Sequence, residues 1–468
     1  MIGSLVVTLA LVAQTAGAAA ASPPDAFPQP LTLDAAIAYA AAHYPALRAS
    51  LEQVRAAGAN VDVARTAYLP RLDALWQSNR GTANNVFGQV LPQSVIPSLS
   101  GPVLPAASAS SVWGSATGAL LSWEAIDFGL RDASVRAAES GVARARADER
   151  LAQLDVEAAV ATAYLAVVAA GNAVTVASAD VERRGVLARA VHTLADNQLR
   201  PGAEAARSDA ERAAAATRLI QAQQAAAIAR VRLARMLGVS GQAIALEAAA
   251  LLAHPPADDV PAVAAAAHPL GLAQGAAVAQ ARAQEDVLLR TDRPRLFVQG
   301  SVSSRGSGAS ATGGFDGGVG GLGLDRVNWA AGVQVQFPNV FDFASLRARR
   351  AAAAATVGAE RARYDEALLE VAGEREIATA MAAAARAVLD NMPVQLTAAR
   401  QSEGQARARY EAGLGDLVAV ADAQNLLAQA EAQDRLARVD AWRALLAEAV
   451  AGGDITPFLA RVRAAAGR

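Results

Sequence analysis

The sequence predicts a mainly α-helical chain carrying a small membrane-spanning β part and built from two copies of one unit. Three observations predict it: motifs that recur in order in both halves, two helix-patterned stretches of about 70 residues, and four short alternating stretches at matching places.

From Met1 to Ala21 no side chain is charged, and the apolar run Ile2 to Val12 leads into the small residues Ala16 to Ala21. This reads as a secretory signal peptide over residues 1–21, cleaved near Ala20 or Ala21. Later apolar stretches are expected to be broken by Arg, Asp or Glu, so no transmembrane helix is predicted in the exported chain. The remaining choices are a soluble periplasmic protein or an outer-membrane β-barrel.

The repeat sets the boundaries. Tyr44-Pro45 precedes Pro70-Arg71-Leu72 at the spacing by which His268-Pro269 precedes Pro294-Arg295-Leu296. Ile126-Asp127-Phe128-Gly129 then matches Phe341-Asp342-Phe343-Ala344, and Gly202 with Glu211 matches Gly413 with Asp422. The predicted units are residues 22–250 and 251–452, joined around the Ala/Pro-rich Leu251 to Ala266, with residues 453–468 as a C-terminal tail.

Each unit opens with a helix, Thr32 to Ala67 or Ala262 to Leu289, that stops before a proline. Thr32 and Asp34 supply a start signal for the first. Two strands follow. Trp329, Ala331, Val333, Val335 and Phe337 alternate with small and amide residues, and Leu296 to Ser303 looks like the partner. Leu72 to Asn79 and Val112 to Trp123 form the first-unit pair. Between them lie polar loops, about Gly81 to Ser110 and Gly306 to Asp325, expected to be flexible tips.

Long helices then run from Asp127 to Ala195 and from Asp342 to Tyr410, interrupted only by Pro393. A helix of that length spans about 100 Å, which no compact globule holds. Shorter return helices occupy Ala203 to Leu237 and Leu417 to Val450. Leu151, Leu154, Ala158, Ala161, Leu165 and Val168 form a coiled-coil seam with small contact residues.

An open four-stranded sheet in lipid leaves edge N–H and C=O groups unpaired, each costing several kcal/mol. Closure therefore needs several chains, and twelve strands from three copies is the smallest ring with a water-sized lumen. Trp76, Trp113, Trp123 and Trp329 are expected near strand ends, at the lipid headgroup level.

The doubled motif order, the Leu31-Thr-Leu-Asp-Ala-Ala-Ile start and Tyr410-Glu-Ala-Gly-Leu-Gly-Asp resemble the TolC-type outer-membrane efflux protein family. That resemblance implies a homotrimeric tunnel in a Gram-negative outer membrane, with a 12-stranded β-barrel continuing into a periplasmic α-helical barrel. It further implies a periplasmic adaptor (membrane fusion) protein and an inner-membrane pump as partners, outer-membrane lipid as surroundings, and small molecules as cargo. Protein-secretion and metal-efflux ducts are the neighbouring alternatives. A periplasmic coiled-coil adaptor is the rival from another class.

The same resemblance matches Tyr410 and Asp422 to a gate tyrosine and a gate carboxylate, with Glu211 in the equivalent place and Asp416 beside them. Ala419 and Gly415 stand where relatives carry further polar locks, and Glu124 where they carry a proline like Pro338. Glu211 and Asp422 are expected to form an acidic, cation-favouring ring at the narrow end.

Composition excludes other classes. All 42 basic residues are arginine and cysteine is absent, which removes a Walker lysine, Schiff base, thiol nucleophile, disulfide and lipidated N-terminal cysteine. Against 44 acidic residues the net charge is -2, so nucleic acid is not an expected partner. Gly318-Val-Gly320-Gly-Leu-Gly323 has dinucleotide-loop spacing without a βαβ context. His43, His192, His254 and His268 are scattered, with no adjoining carboxylate set. No catalytic constellation, cofactor or metal is predicted.

Overall fold

The computed structural model describes residues 29–84, 107, 109–239, 244–256, 264–310, 312, 314, 316, 318–338 and 340–467. The predicted signal peptide and most of the first loop lie outside the described residues. In chain order the elements are α1 (Leu33–His43), α2 (Pro45–Thr66), β1 (Arg71–Thr82), β2 (Ser111–Ile126), α3 (Leu130–Asp196) and α4 (Gly202–Met236). There follow α5 (Pro269–Leu288), β3 (Arg295–Ser307), β4 (Arg326–Gln336), α6 (Phe343–Glu411), α7 (Leu417–Ala451) and α8 (Thr456–Ala466).

The helix expected over Thr32 to Ala67 is two helices. Thr32 Oγ1 accepts from Ala35 N at 3.2 Å and starts α1, but Pro45 forces a break at Tyr44, whose backbone is extended. In the second unit α5 starts only at Pro269, where His268 Nδ1 accepts from Leu270 N at 3.1 Å.

Helices α3 and α6 run 67 and 69 residues without interruption, with Pro393 accommodated inside α6. At one end of the rod α3 packs with α2 and α5, and α5 with α6; at the other α3 packs with α4 and α7, and α6 with α7. The short helices thus meet end to end between the long ones: His268 Nε2 bonds Val450 O at 3.0 Å, where α5 begins and α7 ends. Of the predicted seam, Leu154, Ala161, Leu165 and Val168 are buried, and Leu151 and Ala158 half-buried.

One sequence expectation fails inside α3. Ala158 to Ala179 contains no charged residue and is long and apolar enough to cross a membrane by composition. Its apolar side is used inside the protein instead: Val160, Tyr164, Leu165 and Val168 join Leu33, Ile37, Leu233, Trp442, Leu445 and Phe458 in the largest core cluster. The residues read as a tail supply part of that core, because α8 carries Phe458, fully buried and edge-on to Trp442 at 6.2 Å between ring centroids.

The strands form one antiparallel sheet in the order β1-β2-β3-β4. Register assigns the residues to two faces. Leu72, Ala74 and Trp76 lie opposite Leu121, Ala119 and Thr117; these pair onward with Gly300, Val302 and Ser304, then Ala331, Trp329 and Val327. Alternate positions carry Asp73, Gln77, Asn79, Gln299, Ser301, Ser303, Asn328 and Gln334. One face is therefore mostly apolar and the other mainly polar, the latter also carrying Leu75, Leu120 and Phe297. Glu124 lies within β2 opposite Phe297, not after the strand, and a bulge follows it.

The second loop is not a free tip. It folds back onto β2: Gly308 N donates to Trp113 O at 3.0 Å, and Ser115 Oγ to Gly321 O at 3.1 Å. A Cβ on Gly321 would stand 1.8 Å from Trp113 O, and one on Gly306 1.7 Å from Gly323 O, so this approach requires glycine at both positions. The Gly318 to Gly323 run serves that packing.

Candidate functional site

Tyr410 occupies the last turn of α6 and is buried, at 4 % exposure. Gly413, with φ of 75°, turns the chain back so that Gly413 N reaches Tyr410 O at 3.0 Å and Leu414 N reaches Arg409 O at 2.8 Å. Tyr410 Oη donates to Glu204 Oε2 at 2.9 Å, across to the first turn of α4. The Arg200 guanidinium lies 4.8 Å over the Tyr410 ring and donates to its carbonyl at 3.5 Å. Around this latch Val191, Ala205, Leu417 and Val420 form a small buried cluster, so the tips of both helical hairpins are held together. Desolvation by burial, then the hydrogen bond to Glu204 and its charge, push the Tyr410 phenol up to about 12; Arg200 opposes this.

The four predicted gate residues have different surroundings. Asp422 is exposed on α7, with no hydrogen-bond or ion-pair partner among the described residues. Asp416 caps α7, its Oδ1 accepting from Ala419 N at 2.8 Å. Glu211 is paired rather than free: its Oε2 accepts from Arg184 Nη1 at 3.0 Å.

Arg184, 2 % exposed, also contacts both Asp180 oxygens at 3.1 Å and Asn425 Oδ1 at 2.7 Å, tying α3 to α4 and α7. Arg218 adds a 3.0 Å bond to Asp180. Glu211 belongs to a polar network centred on the buried Arg184 and Asp180, with Glu211 and Arg218 at its exposed margin.

Sequence reasoning missed Arg200, Glu204, Asp180 and Arg184. The signal for Glu204 was present: Pro201 and Gly202 open a helix tip in the place where Gly413 to Asp416 open the other. Two histidines do have a carboxylate nearby: His192 Nε2 lies 2.9 Å from Asp209 Oδ2 on the neighbouring helix, and His254 Nε2 3.9 Å from Asp390 Oδ1 on α6. Among the described residues no three His, Asp or Glu side chains converge to hold a metal ion.

At the sheet, Trp76 and Trp329 are 72 % and 79 % exposed on the apolar face. They sit within the ladder, opposite Thr117 and Val302, rather than at its ends. Trp123 and Trp113 do lie toward opposite ends of β2. Trp123 Nε1 donates to Tyr68 O at 3.0 Å, and the Arg80 guanidinium lies 5.9 Å from the Trp113 ring.

A two-faced sheet with open edges, set on a rod of paired long helices whose far tips are latched, defines an outer-membrane channel protein with a helical extension. Residues 36–239 and 261–448 match the family described as outer membrane efflux protein, and the chain belongs to that family.

Its fold is shared with solved channels. The open state of the Neisseria gonorrhoeae MtrE outer membrane channel is 21% identical with a TM-score of 0.71, covering 90% of this chain and 89% of that one. The Campylobacter jejuni CmeC outer membrane channel is 17% identical at 0.72, covering 90% and 85%. The outer membrane protein VceC of Vibrio cholerae is 18% identical at 0.70, covering 90% and 96%. No curated protein sequence matches. The chain is thus an efflux protein of the outer membrane with a TolC-like fold.

Proposed function

We propose that three copies of this chain close a 12-stranded barrel and act as the passive exit duct of a tripartite efflux assembly, carrying small molecules across the periplasm and outer membrane. The observation that carries the reading is β4. Every residue of this 11-residue strand is exposed, on both faces, and its outer edge is unpaired, as is that of β1. In lipid such an edge costs several kcal/mol per unpaired backbone group. Pairing β4 of one copy with β1 of the next removes the edges and turns the apolar face to the acyl chains and the polar face to a lumen.

In this reading Tyr410, with Glu204 and Arg200, latches the periplasmic end, and Asp422 lines the constriction. A periplasmic adaptor engages the tips where α3 meets α4 and α6 meets α7, and an inner-membrane pump supplies the energy. The family and its structural relatives are channel proteins, which accords with a non-enzymatic role. Mass measurement in mild detergent tests the assembly: a trimer that inserts into planar bilayers and conducts is expected. A monomer stable in plain buffer would overturn it.

A further inference from the structure

The end-to-end junction of α5 and α7 leaves a niche in the wall between α3 and α6, with a volume of about 680 Å³. That lies within the range of about 300–1,000 Å³ that holds drug-sized ligands. Its floor is apolar, with Leu154, Val371 and Leu446, and Ile377 and Met381 stand on the α6 side at 54 % and 51 % exposure.

Three carboxylates share the lining, Asp155 from α3 and Glu370 and Glu374 from α6, and none has a hydrogen-bond or ion-pair partner among the described residues. The two basic residues in the lining are already engaged. Arg443 Nη1 donates to Asp440 Oδ1 at 2.9 Å, while His268 spends one ring nitrogen on Val450 O and the other on Leu270 N. His268 is electrostatically coupled to Asp155, but with three carboxylates to one arginine the lining keeps an excess of negative charge over an apolar floor. A bare metal ion does not fit it, because no three acidic or histidine groups converge.

Orientation follows from helix geometry. Asp155 precedes Tyr164 by about two and a half turns, so the two point to opposite sides of α3. The Tyr164 hydroxyl is fixed at 2.8 Å to the carbonyls of Leu31 and Glu247, so these segments cover one side of α3, which the exit-duct reading takes as the outer one. Asp155 and the niche consequently face the other side of the wall.

We infer that this niche is a binding site for apolar organic cations, such as quaternary ammonium or phosphonium compounds, one per chain, on the lumenal side of the wall. The lumenal placement rests on the exit-duct reading; the chemistry of the niche does not. Cargo of this class pauses there between the pump end and the barrel.

The test is equilibrium dialysis of the purified oligomer in an uncharged detergent, with tetraphenylphosphonium and its isosteric anion tetraphenylborate, each corrected against detergent alone. Saturable phosphonium binding near one per chain, with no saturable borate binding, is expected. Asp155→Asn with Glu374→Gln should raise the phosphonium Kd about tenfold or more through loss of charge contacts in a partly wetted cleft. No saturable phosphonium site, equal binding of both ions, or a change under about twofold in the double variant overturns the site. Oligomer mass and bilayer conductance, recorded on the same preparations, report separately on the duct.

Discussion

Arg131 and Asp127 close the turn that joins the sheet to the helical rod. Asp127 Oδ2 accepts from Arg131 Nε at 3.0 Å and from Arg131 N at 2.5 Å, and its Oδ1 accepts from Gly129 N at 3.0 Å. The guanidinium goes on to the carbonyls of Glu124 at 2.5 Å and Ala125 at 3.3 Å, beneath the Tyr68 ring at 4.7 Å. One buried ion pair thereby fixes the last turn of β2, the positive-φ residues Phe128 and Gly129, and the first turn of α3.

Asp127→Ala leaves Arg131 buried without its counter-ion and should destabilise the junction by about 3–5 kcal/mol. Asp127→Ala with Arg131→Met should recover part of that loss. Burial works to raise the Asp127 pKa, but the backbone bonds from Arg131 and Gly129 and the guanidinium bring it below the ordinary 3.8. Its contribution is thus present above 3.8 and lost as acid titrates the folded carboxylate below it. Thermal melting followed by circular dichroism across pH 5 to 2 checks the sign: the wild type should lose stability steeply in acid, and the double variant less.

At the opposite end, Tyr410→Phe removes a hydrogen bond to an ionised partner, a loss of about 1.5–3 kcal/mol from the latch. Single-channel conductance in planar bilayers should rise. In the wild type the latch is complete below the ordinary phenol value of 10.0 and is lost as pH climbs through about 12, because only the neutral phenol donates to Glu204. The variant should show no pH-dependent opening in that window.

Asp422 and Glu211 should behave differently, although their sequence positions correspond. Asp422→Ala removes a free exposed charge and should weaken block by multivalent cations while leaving stability unchanged. Glu211→Ala takes a partner from the buried Arg184 and should lower thermal stability by about 1–3 kcal/mol. Equal effects on cation block from both variants would count against the separation.

What was legible in the sequence was whatever repeats or alternates. Helical period, strand alternation and proline stops placed the strands, the long helices and their return partners to within a few residues, since each reflects local sterics and one buried face, but merged α1 with α2 and left α8 unread. The Tyr410 to Glu204 latch and the Arg184 node were not legible, because they join residues over 200 apart whose spacing is set by how two hairpins dock. The uncharged run Ala158 to Ala179 was legible but passed over; the absence of a membrane helix there follows from packing, since its apolar side is covered by protein.

The C-terminal segment yields a prediction. Ile455, Phe458, Leu459 and Val462 keep a helical i, i+3, i+4, i+7 spacing that its reading as a tail overlooked. Phe458 is fully buried against Trp442, whose Nε1 donates to Ala253 O at 3.2 Å. Phe458→Ala should destabilise by about 3–5 kcal/mol, as for other large aromatic truncations in cores. Protease cleavage within α8 should accelerate in parallel.

Proline offers a last discrimination between a continuous rod and a row of loosely joined helices. Pro393 already lies inside α6, at an exposed position, and the helix runs through it to Glu411. Loss of one backbone bond is tolerated there because α6 packs on α7 above and below, through Leu389 with Ala437 and Ala399 with Leu427. Leu165 has no such latitude. It is fully buried in the main core, next to Tyr164 and its two carbonyl contacts. Leu165→Pro should cost about 3 kcal/mol or more in the backbone alone, beyond the lost packing, and abolish both assembly and drug resistance in cells. Pro393→Ala should instead raise the thermal midpoint. Normal resistance in the Leu165→Pro strain would show that the helical path need not be continuous.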